Sequence, residues 1–125
     1  MQAVQFLGRR DVQLKEAPEP QPGKGEARLK VLLAGLCATD RHIVEGHFTV
    51  RPPRILGHEL VGQVVAVGPD VSKSWIGKKV GVQPARFCGN CAMCQSGNPQ
   101  LCLHFECLGN TQDGGYAEFT IARTN

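Results

Sequence analysis

Four cysteines, Cys88, Cys91, Cys94 and Cys102, fall within fifteen residues in the spacing C-x2-C-x2-C-x7-C. No other feature limits the fold as tightly, because thiols this close in sequence converge in any compact arrangement of the segment. Gly89 and Asn90 permit a tight turn between the first two, and Gly97 and Pro99 shape the loop that returns Cys102. Three chemistries use clustered thiols. A disulfide framework suits a short secreted chain, but the opening Met1–Leu7 lacks the charged start and long apolar core of a secretion signal. A ferredoxin-type iron–sulfur run begins with the same C-x2-C-x2-C and continues x3-C-P; here seven residues intervene and Leu103 follows Cys102. A closed tetrahedral zinc cage takes four thiolates and makes no demand on the residue that follows. Structural zinc on Cys88, Cys91, Cys94 and Cys102 is therefore the leading reading, with an iron–sulfur electron-transfer protein as the alternative that visible absorbance would separate.

The rest of the sequence reads as short strands and corners. With 15 Gly, 8 Pro and only 7 aromatic residues in 125, packing must lean on Val and Leu, and long helices are not expected. Ala3–Leu7 and Val12–Lys15 form a candidate hairpin across Gly8–Asp11. From Glu26 the pattern alternates, so that Ala27, Leu29, Val31 and Leu33 should share one face of a strand ending at Gly35. Ala38 to Glu45 suits two helical turns, with Thr39 or Asp40 as N-cap and Gly46 as stop. Leu60–Val67 is a second long strand in which Gly62 marks a bend or bulge. Lys79–Val82 and Tyr116–Ile121 are further strands, and Pro84 to Leu101 is irregular around the cysteines. Together these predict a mainly β, small and partly open barrel with one short helix.

A second constellation lies upstream of the cysteine run. Cys37-Ala38-Thr39-Asp40-Arg41-His42 sits at a strand-to-helix corner, and Gly57-His58-Glu59 opens a strand. Sulfur, imidazole and carboxylate in this arrangement suit an open metal site that retains a position for substrate. These motifs resemble the zinc-containing medium-chain alcohol dehydrogenases, specifically their N-terminal GroES-like catalytic domain, over essentially the whole chain. The resemblance rests on the complete G-H-E-x2-G-x5-G-x2-V run from Gly57 to Val71, the cysteine spacing, and Gly114-Gly115-Tyr116-Ala117-Glu118. It implies a GroES-like barrel over residues 1–125 with a zinc lobe at about 84–107. It also implies that Cys37 and His58 hold a catalytic zinc, with Glu59 beside it as a ligand or as a group that exchanges with water. Thr39 would hydrogen-bond the hydroxyl of a small-molecule alcohol, and His42 would pass its proton toward solvent. Asp40 reads as a cap or structural acceptor, His47 and Phe48 as an edge of the pocket, and His104 and Cys107 as non-ligands.

The same resemblance implies hydride transfer to NAD or NADP held by a nucleotide-binding domain, a further zinc ligand beyond Asn125, and a homo-oligomer. No G-x-G-x-x-G turn occurs in these 125 residues, so the chain by itself is expected to bind zinc but to be inactive. A net charge of +3 without any Lys/Arg run gives no nucleic-acid footprint, and no apolar run approaches a membrane span. Reduced thiols available to metal make the cytoplasm the expected compartment. A non-catalytic, zinc-stabilised β-barrel acting as a binding module is the remaining alternative; it has no need of Cys37, Thr39, His42, His58 and Glu59 together.

Overall fold

The computed structural model describes residues 1–124. Its strands are β1 (Gln2–Gly8), β2 (Asp11–Glu16), β3 (Glu26–Ala34), β4 (Arg54–Ile55), β5 (Leu60–Val67), β6 (Lys79–Gly81), β7 (Ala85–Arg86), β8 (Glu106–Cys107) and β9 (Phe119–Arg123), with helices α1 (Ala38–Glu45) and α2 (Ala92–Gln95). Three antiparallel sheets result, ordered β2-β1-β4, β6-β5-β3-β9 and β7-β8. The sheets do not close on themselves, so the mainly β, partly open architecture expected from the sequence is what the chain adopts.

The hairpin of β1 and β2 turns at Arg9-Arg10, where Arg10 takes a left-handed φ of 60°. β3 departs from the expected alternation. Val31 pairs with Gly62 but Leu33 pairs with Val61, so Leu32 is an extra residue in β3. The irregularity opposite Gly62 is thus carried by β3, while β5 has an extra residue of its own at Val65, between the partners of Arg28 and Leu29. A Cβ at Gly62 would lie 2.9 Å from the Leu29 Cβ and 3.0 Å from the Lys30 carbonyl oxygen, which is how closely the bulged strand presses on it. One inserted residue reverses the faces beyond it. Ala27 and Leu29 are buried, whereas Leu33 is 70% exposed, contrary to the expectation that all four apolar residues share a face.

The last strand also begins later than the sequence suggested, at Phe119 rather than Tyr116. Tyr116 to Glu118 are shared between two sheets. Val4 N–H donates to the Tyr116 carbonyl and Glu118 N–H to that of Gln2, while Val31 N–H donates to the Glu118 carbonyl. Ala117 bridges Ala3 in the three-stranded sheet before β9 joins β3 in the other. This crossing is the corner that holds the two sheets together.

Two cores follow from this layout. Ala27, Leu29, Leu60, Val64 and Leu108 pack beneath the four-stranded sheet. Phe6, Ile43, Val50 and Leu56 join the three-stranded sheet to α1, with Tyr116 against them. Helix α1 is thus pinned through Ile43, and its N-terminus is directed at the strand entrance that bears His58. The two Leu positions of β3 test the bulge. Leu29→Ala should cost about 2–5 kcal/mol and Leu33→Ala no more than about 0.5 kcal/mol, as read by chemical denaturation of the two variants.

Candidate metal centres

The four run cysteines converge. Cys88 Sγ lies 3.5 Å from Cys102 Sγ and 3.9 Å from Cys94 Sγ, and Cys91 Sγ lies 4.0 Å from Cys102 Sγ. Zinc–sulfur bonds of about 2.3 Å place sulfurs about 3.8 Å apart at the corners of a tetrahedron, so the donor set fits that ion without rearrangement. Strands β7 and β8 pair at the neck of the lobe, Ala85 with Cys107 and Arg86 with Glu106, and hold its two ends together. Within it, Cys91 precedes α2, which carries Cys94, and a 3-10 turn over Pro99–Leu101 delivers Cys102.

The local electrostatics split the thiols. Backbone hydrogen bonds from Cys94 and Leu103 lower the Cys91 thiol to about 6. Cys102 is lowered too, first by the Cys88 N–H at 3.3 Å, with the His104 N–H at the same distance assisting. Cys94 is pushed up to about 12, chiefly by burial and then by its hydrogen bond to Cys91. Such a cluster accepts some negative charge readily and resists the rest unless a cation neutralises it. Cys107 stands apart. Its Sγ contacts the Leu108 carbonyl at 3.5 Å, and burial raises its thiol above the ordinary range. His104 contributes its backbone N–H to Cys102 and is not one of the clustered donors.

The second constellation also assembles. Ligand atoms of Cys37, His58 and Glu59 all lie within 4.8 Å of one another, a mixed sulfur, imidazole and carboxylate set of the kind that open zinc sites use. Cys37, rather than Thr39 or Asp40, is the N-cap of α1, with extended backbone at φ −94° and ψ 151°. Asp40 falls at the third helical position, and its Oδ2 accepts the Cys37 N–H at 3.1 Å. That contact fixes the residue bearing the sulfur at the corner. Thr39 Oγ1 is 3.6 Å from Cys37 Sγ, so the hydroxyl lies beside the sulfur of this donor set. His42 lies near the end of the helix, its Nδ1 3.2 Å from Nδ1 of His47 and its ring edge-on to Phe48.

Asp40 and Tyr116 are the members that sequence reasoning undervalued. Asp40 is 5% exposed, and its two oxygens serve four groups. Oδ1 accepts the Gly57 N–H at 3.3 Å and lies 3.5 Å from His58 Nδ1; Oδ2 accepts the Tyr116 hydroxyl at 2.8 Å besides the Cys37 N–H. With Nδ1 of His58 facing the carboxylate, Nε2 is the nitrogen left for an ion. The Tyr116 hydroxyl also contacts the Gly35 carbonyl at 2.9 Å, and burial, reinforced by the hydrogen bond to Asp40, raises its ionisation well above the ordinary phenol. It therefore remains a neutral donor. Gly57 adopts φ 91°, and a Cβ there would sit 2.6 Å from the Tyr116 ring, so glycine is what allows the ring to lie against the backbone at residue 57. The Gly-Gly-Tyr motif was visible in the sequence, but nothing local marks its hydroxyl as a partner for residue 40.

Among the described residues no helix is long and apolar enough to cross a membrane. The family model for the alcohol dehydrogenase GroES-like domain matches residues 23–125. A sorbitol dehydrogenase of Halalkalibacterium halodurans is 42% identical over 111 residues, covering 88% of this chain and 32% of that protein. A solved alcohol dehydrogenase of Escherichia coli in complex with NADH superposes with TM-score 0.92 at 36% identity, covering 98% of this chain and 36% of that one. A cobalt- and zinc-bound thermostable alcohol dehydrogenase of Pyrobaculum aerophilum gives TM-score 0.87 at 34% identity, covering 98% and 38%. The chain thus spans about a third of the length of the relatives it matches. The Asp40 arrangement makes its own prediction: Tyr116→Phe removes one donor from a buried carboxylate and should cost about 1.5–3 kcal/mol, seen as a lower denaturation midpoint with the β-sheet circular dichroism retained.

Proposed function

This chain belongs to the alcohol dehydrogenase GroES-like domain family, and from that premise we propose that it is the zinc-carrying catalytic part of an NAD(P)-linked dehydrogenase acting on an alcohol, polyol or sugar. The observation that carries the reading is the convergence of Cys37, His58 and Glu59 beside a separate cage of four cysteines. One donor set is closed and structural; the other leaves room for substrate. In use, zinc supplies a Lewis acid that makes a hydroxyl proton acidic near neutrality, and nicotinamide supplies the hydride acceptor.

The chain's own residues handle binding and the proton. Asp40 and Gly57 hold His58, and Asp40 holds the backbone of Cys37, so the donors are oriented before substrate arrives. Thr39, beside the Cys37 sulfur, hydrogen-bonds the substrate hydroxyl and receives its proton as the carbon–oxygen bond becomes a carbonyl. His42, nearer the end of the same helix and partly exposed, passes a proton on to solvent, a task suited to imidazole near neutrality. The hydride leaves from the same carbon, so two electrons and one proton go to the nicotinamide and the second proton goes to water.

These residues contain no phosphate-binding turn for a dinucleotide, so the division of labour is sharp. The purified chain is expected to retain one firmly held zinc, to hold a second weakly, and to show no NAD(P)-coupled oxidation of polyols. Turnover by the chain alone would refute this division. Cys94→Ala should release the firm zinc and expose residues 84–107 to hydrogen exchange, while Cys37→Ala should retain the firm zinc and the fold. In a chimera with the nucleotide-binding half of a polyol dehydrogenase, Cys37→Ala should abolish activity and His42→Ala should lower turnover about a hundredfold. An active Cys37→Ala chimera would remove the open site from the reaction.

A further inference from the structure

A third group of donors lies at the other end of α1, and neither the cage nor the open site uses it as a ligand set. Ligand atoms of His42, Glu45 and His47 all fall within 4.8 Å of one another. The helix ends at Gly46, in left-handed conformation at φ 85°, with Gly46 N–H donating to the Ile43 carbonyl and His47 N–H to that of His42 at 2.8 Å. This 6→1 closure folds the chain back over the last turn and sets His47 against His42, a neighbour that five-residue spacing along a continuing helix would not give.

The resulting distances suit an ion. The two Nδ1 atoms are 3.2 Å apart, and Oε2 of Glu45 is 3.6 Å from Nδ1 of His47 and 4.0 Å from Nδ1 of His42. Zinc–nitrogen bonds of about 2.0–2.1 Å give a tetrahedral edge of about 3.3 Å, so small side-chain rotations complete three corners. Arg41 reaches only Oε1 of the same carboxylate, at 3.8 Å, and Arg9 is committed to the Glu45 carbonyl at 2.9 Å. Oε2 therefore remains for the imidazoles. His47 is 61% exposed, which leaves the remaining positions to water. Two imidazoles and one carboxylate suit zinc or nickel rather than calcium or magnesium, which take mainly oxygen ligands.

We propose that His42, Glu45 and His47 form a surface site for a divalent zinc- or nickel-class ion, distinct from the cysteine cage and from the open site. Binding there stands independently of the dehydrogenase reading. If His42 relays protons, an ion on its Nδ1 and a proton passing through that atom exclude one another.

The test uses the full chain with Cys37→Ser, in which serine is a favoured N-cap and the sulfur of the open site is gone. After loading one zinc equivalent, further zinc is titrated while histidine 15N shifts and calorimetry are followed. An added equivalent that moves the Nδ1 resonances of both His42 and His47 is expected. His47→Ala or Glu45→Gln in the same background should weaken it at least about tenfold, the low end of what loss of an outer-shell partner costs, with the first zinc retained. Shifts confined to His58 or His104, or an added equivalent bound equally well by both variants, would overturn the proposal.

Discussion

The carboxylate of Asp40 is the contact on which the rest of the open site depends. It is almost wholly buried, yet it ties together three stretches far apart in sequence: the N-cap of α1 through Cys37, the strand entrance through Gly57 and His58, and the sheet corner through Tyr116. A buried carboxylate is costly unless its oxygens are satisfied, and here they accept three hydrogen bonds. The same bonds that offset its desolvation therefore position a cysteine and a histidine. Packing and site geometry cannot be separated at this residue, because loosening the ring of Tyr116 against Gly57 would free a donor and a backbone corner at once.

Packing supports that contact from both sides. Ile43 seats α1 on Phe6 and Leu56, so the helix cannot swing away from the strand entrance. On the other side, Gly114 approaches so closely that a Cβ would lie 2.1 Å from the Gly57 carbonyl oxygen. The backbone at residues 114–118 thus serves twice, as the seam between the two sheets and as the wall behind His58. The donors sit on short connections next to α1 and β5, and these backbone and side-chain contacts fix the connections, which is the condition for donors to be set before an ion or substrate arrives.

Much of this was legible in the sequence because the signals are short-range. Helix α1 occupies Ala38–Glu45 as its pattern and the glycine stop suggest, and the strands near 2–8, 60–67 and 79–81 follow from local apolar runs between turns. The cysteine spacing and the Gly-His-Glu run likewise place donors near one another before any fold is known. What stayed hidden depends on pairing between distant segments. The face reversal at Leu32 arises from how β3 meets Gly62, and the late start of β9 from a three-residue crossing that belongs to two sheets. The N-cap went to Cys37 because residue 40 is held in the interior by Gly57 and Tyr116, so a rule that favours Thr or Asp as caps was overridden by tertiary hydrogen bonds.

The cysteine lobe follows a different logic from the barrel. Between Pro84 and Cys107 only Cys102 is buried, and the one aromatic contact, Phe87 with Phe105 at 5.9 Å, lies at its edge. So little apolar surface is removed from water that hydrophobic burial cannot hold this stretch of chain in one conformation. The two-residue pairing of β7 with β8 closes its neck but does not fill it. A structural zinc contributes roughly 10–16 kcal/mol of apparent binding energy in small domains, far more than the lobe's own contacts supply. The opposed titration of Cys91 and Cys94 points the same way, since backbone hydrogen bonds favour the charged form of one thiol while desolvation resists ionisation of the other. An ion at their centre would neutralise the thiolates and bind the loop together. With an ion in the cage the barrel would be stabilised by burial and the lobe by coordination, so the two would fail independently.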